Sequence, residues 1–423
     1  MLTDPLSKQI DLEGDYVMNT FARLPLQIVE GRDMYVFDSE GNTYVDFVGG
    51  IGCISVGHCR KEVSDAVIDQ CRRLVHVSNY YYVQHRGQVA ETLSRLLGEE
   101  GDSWKSFFVN SGAEANECAI KLARLYARKK TLCRLGLEES NADHVSYPSA
   151  ILTVEGSFHG RSLATLAATA QPAKQKQFEP LPKPFLSVPS NDIDSLERIF
   201  EEHGDNICAV MFECIQGEAG VRPLSVAFLQ ALEELAHTHD ALLIVDEVQT
   251  GLFRCSKPFS FQISGIRPDI VTIAKGVANG LPMGVCCARG VIADAFRPGD
   301  NGTTFGGGPV AMVAARQTLE LLQNPTLASH IESTGRYLRA ALAELPFVEE
   351  VRGKGLMVAA KVTPGLSAKQ LVRDALDHGV LLNATDDETL RFLPPLICEK
   401  AHIDVLAQAL RATVKKIRES EAN

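Results

Sequence analysis

Short apolar runs separated by helix-period stretches fill the middle of the chain, and their order predicts an architecture. Between about 61 and 300, SFFVN is followed by the helical EANECAIKLARLYARK. AILTVE, ICAVMFE, ALLIV, DIVTIA and MGVCCA then recur at intervals that leave room for helices. Runs this apolar and β-branched read as buried strands of a mostly parallel sheet flanked by helices on both faces. Before them, YVFDSEGNTYVDFV (35–48) alternates apolar and polar residues around EGN, which predicts a β-hairpin. From about 309, the helical PVAMVAARQTLELLQ leads into VRGKGLMVAAKV, the helix SAKQLVRDALDHG, VLLNA, LRFLPP and a final amphipathic helix. This part reads as a smaller α+β domain completed by the N-terminal hairpin, which divides the chain into 1–60, 61–308 and 309–423. The polar stretch 131–148 reads as a surface excursion, and no internal repeat is visible.

At 423 residues, 45% hydrophobic and 22% charged, the chain can bury a large core. Its formal net charge of −11 argues against nucleic-acid and anionic-membrane partners, because neither polyanion is drawn to it at long range. Eleven cysteines are scattered without CxxC pairs and suit a reducing compartment. His58 and Cys59 in VGHCR have no second cluster at ligand spacing, so a turn is expected there and no metal. The opening MLTDPLSKQIDLEGDY lacks the apolar stretch of a signal peptide, and no run reaches membrane-spanning length, so a cytoplasmic protein is expected.

Candidate chemistry begins with Asp246, closing the run ALLIVD, and Lys275, in DIVTIAKG. Either residue alone reads as a solvated surface charge. Together, at the ends of two buried strands, they lie where α/β sheets place ligands. A lysine in such a setting is costly to keep charged and suits imine formation, and an acid nearby suits a protonated pyridine nitrogen.

Other motifs fit around this pair. NSGAEANE (110–117) follows a strand and opens a helix, so the N–H groups of Ser111, Gly112 and Ala113 can receive a phosphate; a plain N-cap with a small-residue turn reads that motif alone equally well. GSFHGRSLATLAAT offers Phe158 to cover a flat ring and Arg161 to fork a carboxylate. FECIQGEAGV carries Glu213 and Glu218 after another strand, and GTTFGGGP places Thr303 and Thr304 in a glycine-dense loop suited to phosphate.

Taken in order, NSGAEANE, FHGRSLATLAAT, QGEAGV, VDEVQTG, AKG, GTTFGG and RFLPP resemble the class III, or ornithine-type, aminotransferases of fold type I, which depend on pyridoxal 5′-phosphate. The resemblance runs from about Thr20 to the final helix. It implies a seven-stranded large domain, Lys275 as the Schiff-base lysine and proton shuttle, and Asp246 as partner of the pyridine nitrogen. It further implies Gln249 on the phenolic oxygen, Phe158 on the ring, and Ser111, Gly112 and Ala113 around the phosphate. Thr304 would reach the phosphate of a neighbouring subunit, which implies a homodimer. Arg161 would hold the substrate's distal carboxylate and Arg391 the carboxylate beside the reacting carbon, with Glu218 masking Arg391 during the donor half-reaction.

Within the class the resemblance is nearest to the acetylornithine branch, through SNYYY, GRSLATLAATAQP and VLLNATDDETLRFLPP. It implies N-acetylornithine and 2-oxoglutarate as small-molecule substrates in arginine biosynthesis. Ornithine, succinyl-diaminopimelate and 4-aminobutyrate enzymes share the same catalytic residues. GHCR, Cys214, GGGP and Phe21 depart from the common pattern, the last where a tyrosine is usual. An aminomutase and a non-catalytic cofactor-binding regulator are the competing readings; retention of the lysine, the aspartate and the Arg391–Glu218 pair weighs against the regulator.

Overall fold

The structure, a computed structural model, describes residues 5–98, 101–141 and 145–421. Residues 1–4, 99–100, 142–144 of the polar stretch, and 422–423 lie outside the described residues. A seven-stranded sheet is built from β1 (Trp104–Val109), β2 (Ala150–Val154), β3 (Phe185–Val188), β4 (Ile207–Phe212), β5 (Leu242–Asp246), β6 (Ile270–Ile273) and β7 (Gly284–Arg289). Their spatial order is β1-β7-β6-β5-β4-β2-β3. Strand β7 runs antiparallel to both neighbours, and the remaining pairs are parallel. The short edge strand β3, FLSV, lies between Pro184 and Pro189 and goes unread in the apolar pattern.

Every residue of β2, β4, β5 and β6 is buried, because the sheet is covered on both faces. Alternation sorts their side chains. Ile151, Ala209, Met211, Ile244 and Ile270 pack with Cys118, Ala119, Leu122 and Ala123 of the helix Gly112–Arg134. Leu152, Val210, Phe212, Leu243, Val245 and Val271 pack with Phe228, Leu229 and Leu232 of the helix Val226–Thr238. Each such side chain contributes about 1.5–3 kcal/mol by leaving water, so the sheet is a rigid platform for whatever its edge carries.

The hairpin forms from Tyr35–Asp38 and Thr43–Asp46, extended by Ile28–Arg32. Val380–Leu381 adds in parallel beside Thr43–Asp46, with Val380 opposite Val45, so the N-terminal hairpin is completed by a C-terminal strand. A second sheet, Val348–Lys354, Met357–Val362, Thr389–Phe392 and Asn383–Ala384, holds Arg391 opposite Ala359. The polar stretch starts later than its composition suggests. Residues up to Arg134 continue the helix, and Leu132 is buried on its inner face; exposure begins with Cys133. Asp46 Oδ2 accepts from His58 Nε2 at 2.7 Å, beside an Asp33–His58 bridge, so VGHCR is a structural turn.

Candidate active site

Parallel strands bring their C-terminal ends to one edge, and the candidate residues gather there. Asp246 ends β5 opposite Thr272 of β6, and Lys275 follows β6 after Ala274. Glu213 follows β4, Ser111 follows β1, and the loop with Phe158 and Arg161 follows β2. A cavity of about 370 Å³ opens between them, lined by Ser111, Phe158, Arg161, Glu218, Asp246 and Lys275 among others.

Asp246 is held by three N–H donors. Asn116 Nδ2 and His159 Nδ1 each lie 2.8 Å from Oδ2, and the Val248 amide donates to Oδ1 at 2.9 Å. A buried carboxylate needs such donors to remain ionised. Asn116 also donates to His159 O at 2.7 Å, and the His159 amide donates to Thr169 Oγ1 at 2.9 Å, so the donors are themselves fixed.

Lys275 has φ 45°, a left-handed conformation that costs a residue with a Cβ roughly 1–2 kcal/mol. Burial lowers its ammonium pKa below the ordinary lysine value; Glu218 opposes this, Arg391 adds to it, and Asp246 opposes it. The result favours a neutral, nucleophilic amine.

Arg391 is buried and donates from Nε to Asn383 Oδ1 at 3.0 Å. Its Nη1 reaches Glu218 Oε1 at 2.5 Å, Gly217 O at 3.2 Å and Gln249 Oε1 at 3.4 Å. A Cβ on Gly217 would sit 2.1 Å from Gln249 Oε1, so glycine leaves the Gln249 amide its place beside Arg391. Burial alone would raise the Glu218 pKa, but Arg391, with help from Lys275 and Lys174, leaves it lowered. Glu213 accepts from the amides of Phe158 (2.9 Å) and Gly217 (3.1 Å). Burial, followed by the charge of Asp246, pushes its pKa up to about 7.

Ser111 caps the helix Gly112–Arg134, its Oγ accepting from the Glu114 amide at 3.2 Å. The first-turn N–H groups of Gly112 and Ala113 have no intrahelical acceptor and face the cavity end. A Cβ on Gly112 would meet Val248 Cγ1 at 2.8 Å, so glycine lets this turn approach the sheet edge.

Two candidates stand apart. Thr304 is exposed and lines a separate cavity of about 970 Å³ with Asn79, Tyr80, Arg86 and Thr303, so this chain does not bring it to its own Lys275. Phe21 is exposed beside the N-terminal helix Pro5–Tyr16, away from the residues lining the Lys275 cavity.

With this geometry in view, the comparisons with known proteins decide the family. The family described as Aminotransferase class-III matches residues 16–414. The chain belongs to the class-III aminotransferases. An acetylornithine aminotransferase of Methanocaldococcus jannaschii is 41% identical over 413 residues, covering 97% of this chain and 98% of that one. Another acetylornithine aminotransferase, from Aquifex aeolicus, is 39% identical over 94% of this chain and 99% of its own length. Among solved structures, the ornithine aminotransferase of Toxoplasma gondii superposes with a TM-score of 0.88 at 26% identity, over 99% of this chain and 96% of that chain. The acetylornithine aminotransferase of Elizabethkingia anophelis gives 0.81 at 29% identity, over 98% of this chain and 100% of that chain. The α/β architecture of this class-III aminotransferase is therefore fold type I, as the sequence resemblance implied.

Sequence reasoning gave no role to Asn116 or to His159, although both lie in quoted motifs. The signal was available in principle: a carboxylate ending a buried strand needs donors, and side-chain N–H groups in a neighbouring strand-end loop and in the first turns of the helix after β1 are placed to supply them. Among the described residues no helix of this aminotransferase is long and apolar enough to cross a membrane.

Proposed function

We propose that this class-III aminotransferase uses pyridoxal 5′-phosphate to move the terminal amino group of N-acetylornithine to 2-oxoglutarate, giving N-acetylglutamate semialdehyde and glutamate. The proposal places the reaction in arginine biosynthesis, in the cytoplasm, in a homodimer. The observation that carries it is one cavity in which Asp246 and Lys275 come from adjacent strand ends while Glu218 masks the buried Arg391.

The residues present fit the cofactor. Asp246 keeps a lone pair for a protonated ring nitrogen, since its three donors, two on Oδ2 and one on Oδ1, leave one of a carboxylate's roughly four acceptor sites. The unpartnered N–H groups of Gly112 and Ala113, with Ser111, would hold the phosphate. Phe158 and Val248 would enclose the ring, and Gln249 would meet the phenolic oxygen. When bound, pyridoxal phosphate supplies the electron sink that stabilises negative charge on the donor carbon.

The chain's own residues do the rest. Lys275 Nζ, whose ammonium is disfavoured by burial, would take the proton from the donor's terminal carbon and pass it to the bound cofactor within the same half-reaction, and the acceptor half-reaction would run this transfer in reverse. Asp246 is a fixed negative charge preorganised by its donors, so it needs no rearrangement as charge develops. Glu218 covers Arg391 while a donor without an adjacent carboxylate reacts, and Arg391 becomes free for the carboxylate beside the keto carbon of 2-oxoglutarate. Arg161 receives the distal carboxylate.

The acetylated donor is supported by the names of the relatives. Thr304, exposed beside Tyr80 and Phe305, would serve a second copy of this chain, for which the exposed apolar side chains Tyr80, Tyr81, Tyr82 and Phe305 are suited. The test is amine transfer from N-acetylornithine, ornithine and 4-aminobutyrate, each with 2-oxoglutarate. A clear preference for N-acetylornithine is expected, and indifference to it would overturn the donor assignment.

A further inference from the structure

Two cations stand on one aromatic ring at the side of the Lys275 cavity. Arg161 Cζ lies 5.5 Å from the Phe158 ring centroid, and Lys174 Nζ lies 5.5 Å from the same centroid. Lys174 belongs to a different element, the short helix Pro172–Gln175, and its placement is not left to a flexible stem. Its ammonium donates to the side-chain carbonyl of Gln171. Gln171 Nε2 is itself fixed by Gly156 O and Ser157 O, each at 3.0 Å, in the loop that carries Phe158. Gln175 Nε2 ties the same helix to Thr169 O at 2.7 Å.

These cations lack a counterion of their own. Among the described residues, neither Arg161 nor Lys174 has a carboxylate within 4.0 Å. The acids nearest in influence on Lys174 are Glu218 and Glu213, and Arg161 and Arg391 act on it as like charges. Glu218 is engaged by Arg391, and Glu213 by the Phe158 and Gly217 amides. Lys174 is half-buried, and burial lowers its pKa below the ordinary lysine value. A half-buried ammonium beside an exposed guanidinium, neither with a carboxylate partner, is unfavourable until an anion joins them.

We propose that Lys174 is a specificity-determining residue that joins Arg161 in gripping the carboxylate at the far end of the substrate. This rests on the ω-aminotransferase reading, and it adds a second cation to the one the family resemblance supplies. Arg161 offers a planar fork and Lys174 a compact charge, so one carboxylate can bridge both. N-Acetylornithine has such a carboxylate remote from its terminal amine, and 2-oxoglutarate has one remote from its keto carbon.

Steady-state kinetics of the holoenzyme compare N-acetylornithine with N-acetylputrescine, its carboxylate-free counterpart, and 2-oxoglutarate with pyruvate. Lys174→Gln is expected to lower kcat/KM for the two substrates with a remote carboxylate about 10–100-fold, chiefly through KM, and to leave N-acetylputrescine and pyruvate within about 2-fold. Lys174→Arg is expected to recover most of the loss. Binding of glutarate, measured by calorimetry, is expected to weaken by the same factor in Lys174→Gln. Equal effects on substrates with and without the remote carboxylate, or no effect on any, overturn the proposal. Wild-type enzyme that ignores N-acetylornithine overturns the donor assignment instead. The 2-oxoglutarate and pyruvate pair, run on enzyme loaded with pyridoxamine phosphate, judges Lys174 independently of the donor.

Discussion

Arg391 Nη1 donates to Glu218 Oε1 at 2.5 Å, and this contact pairs a buried guanidinium with an acid that lines the Lys275 cavity. Gly217 O and Gln249 Oε1 complete its surroundings. A charge pair this desolvated is expensive to break by removing one partner, yet an incoming carboxylate can replace Glu218 with little net change. The pair thus separates substrates that bring a carboxylate to Arg391 from those that do not.

Glu218→Gln keeps the shape and removes the masking charge. The ratio of half-reaction rates for L-glutamate over N-acetylornithine is expected to rise about 10–100-fold. Stopped-flow absorbance with each amine alone measures it, and an unchanged ratio would remove Glu218 from substrate selection.

His159→Phe tests the support of Asp246. One of the two donors to Oδ2 is lost in a buried site, while Asn116 and the Val248 amide remain. We expect kcat to fall about 10-fold or more with KM for the amine little altered, since the charge acts as the reaction proceeds. A loss confined to KM would contradict this role.

The sheet was legible because β4, β5 and β6 are buried on both faces and therefore carry uninterrupted apolar runs. Strand β3 was not, because an edge strand of four residues between prolines has little apolar pattern to read. Asp246 and Lys275 stood out as charges ending such runs. Asn116 and His159 did not, because their importance comes from a carboxylate far away in sequence, and a single chain pattern does not state which polar side chain will meet it. Lys174 was invisible for the same reason: its partner is the face of Phe158, reached through a turn held by Gln171.

Glu213 makes stability depend on pH in the cofactor-free protein. Its folded pKa is raised from 4.5 to about 7, so the folded state binds a proton more tightly than the unfolded chain. Its contribution is fully present below about 4.5 and is lost as pH rises through about 7. Glu213→Gln is expected to flatten this loss, on the order of 2 kcal/mol across that window. Thermal melting at pH 5 and pH 8 measures it, and identical pH dependence in both proteins would contradict the assignment.

Ser111→Ala removes the side-chain acceptor of the Glu114 amide at the helix start. About 1 kcal/mol of stability should be lost, together with a several-fold weaker grip on pyridoxal phosphate. Calorimetric titration of cofactor-free protein separates the two effects, and undiminished affinity would take Ser111 out of the phosphate site.

The central claim is that Lys275, which follows the strand adjacent to Asp246, carries the proton transfer of an amine-transfer reaction on N-acetylornithine. Its most direct test follows the absorption of bound pyridoxal phosphate as N-acetylornithine is added, without any oxo acid, to wild-type enzyme and to Lys275→Ala. Wild type should convert its cofactor to the aminated form, much faster than with ornithine or 4-aminobutyrate, and Lys275→Ala should be slower by at least about 10³-fold while its fold persists. Comparable conversion in the two proteins, or a cofactor spectrum in wild type that ignores N-acetylornithine, would contradict it.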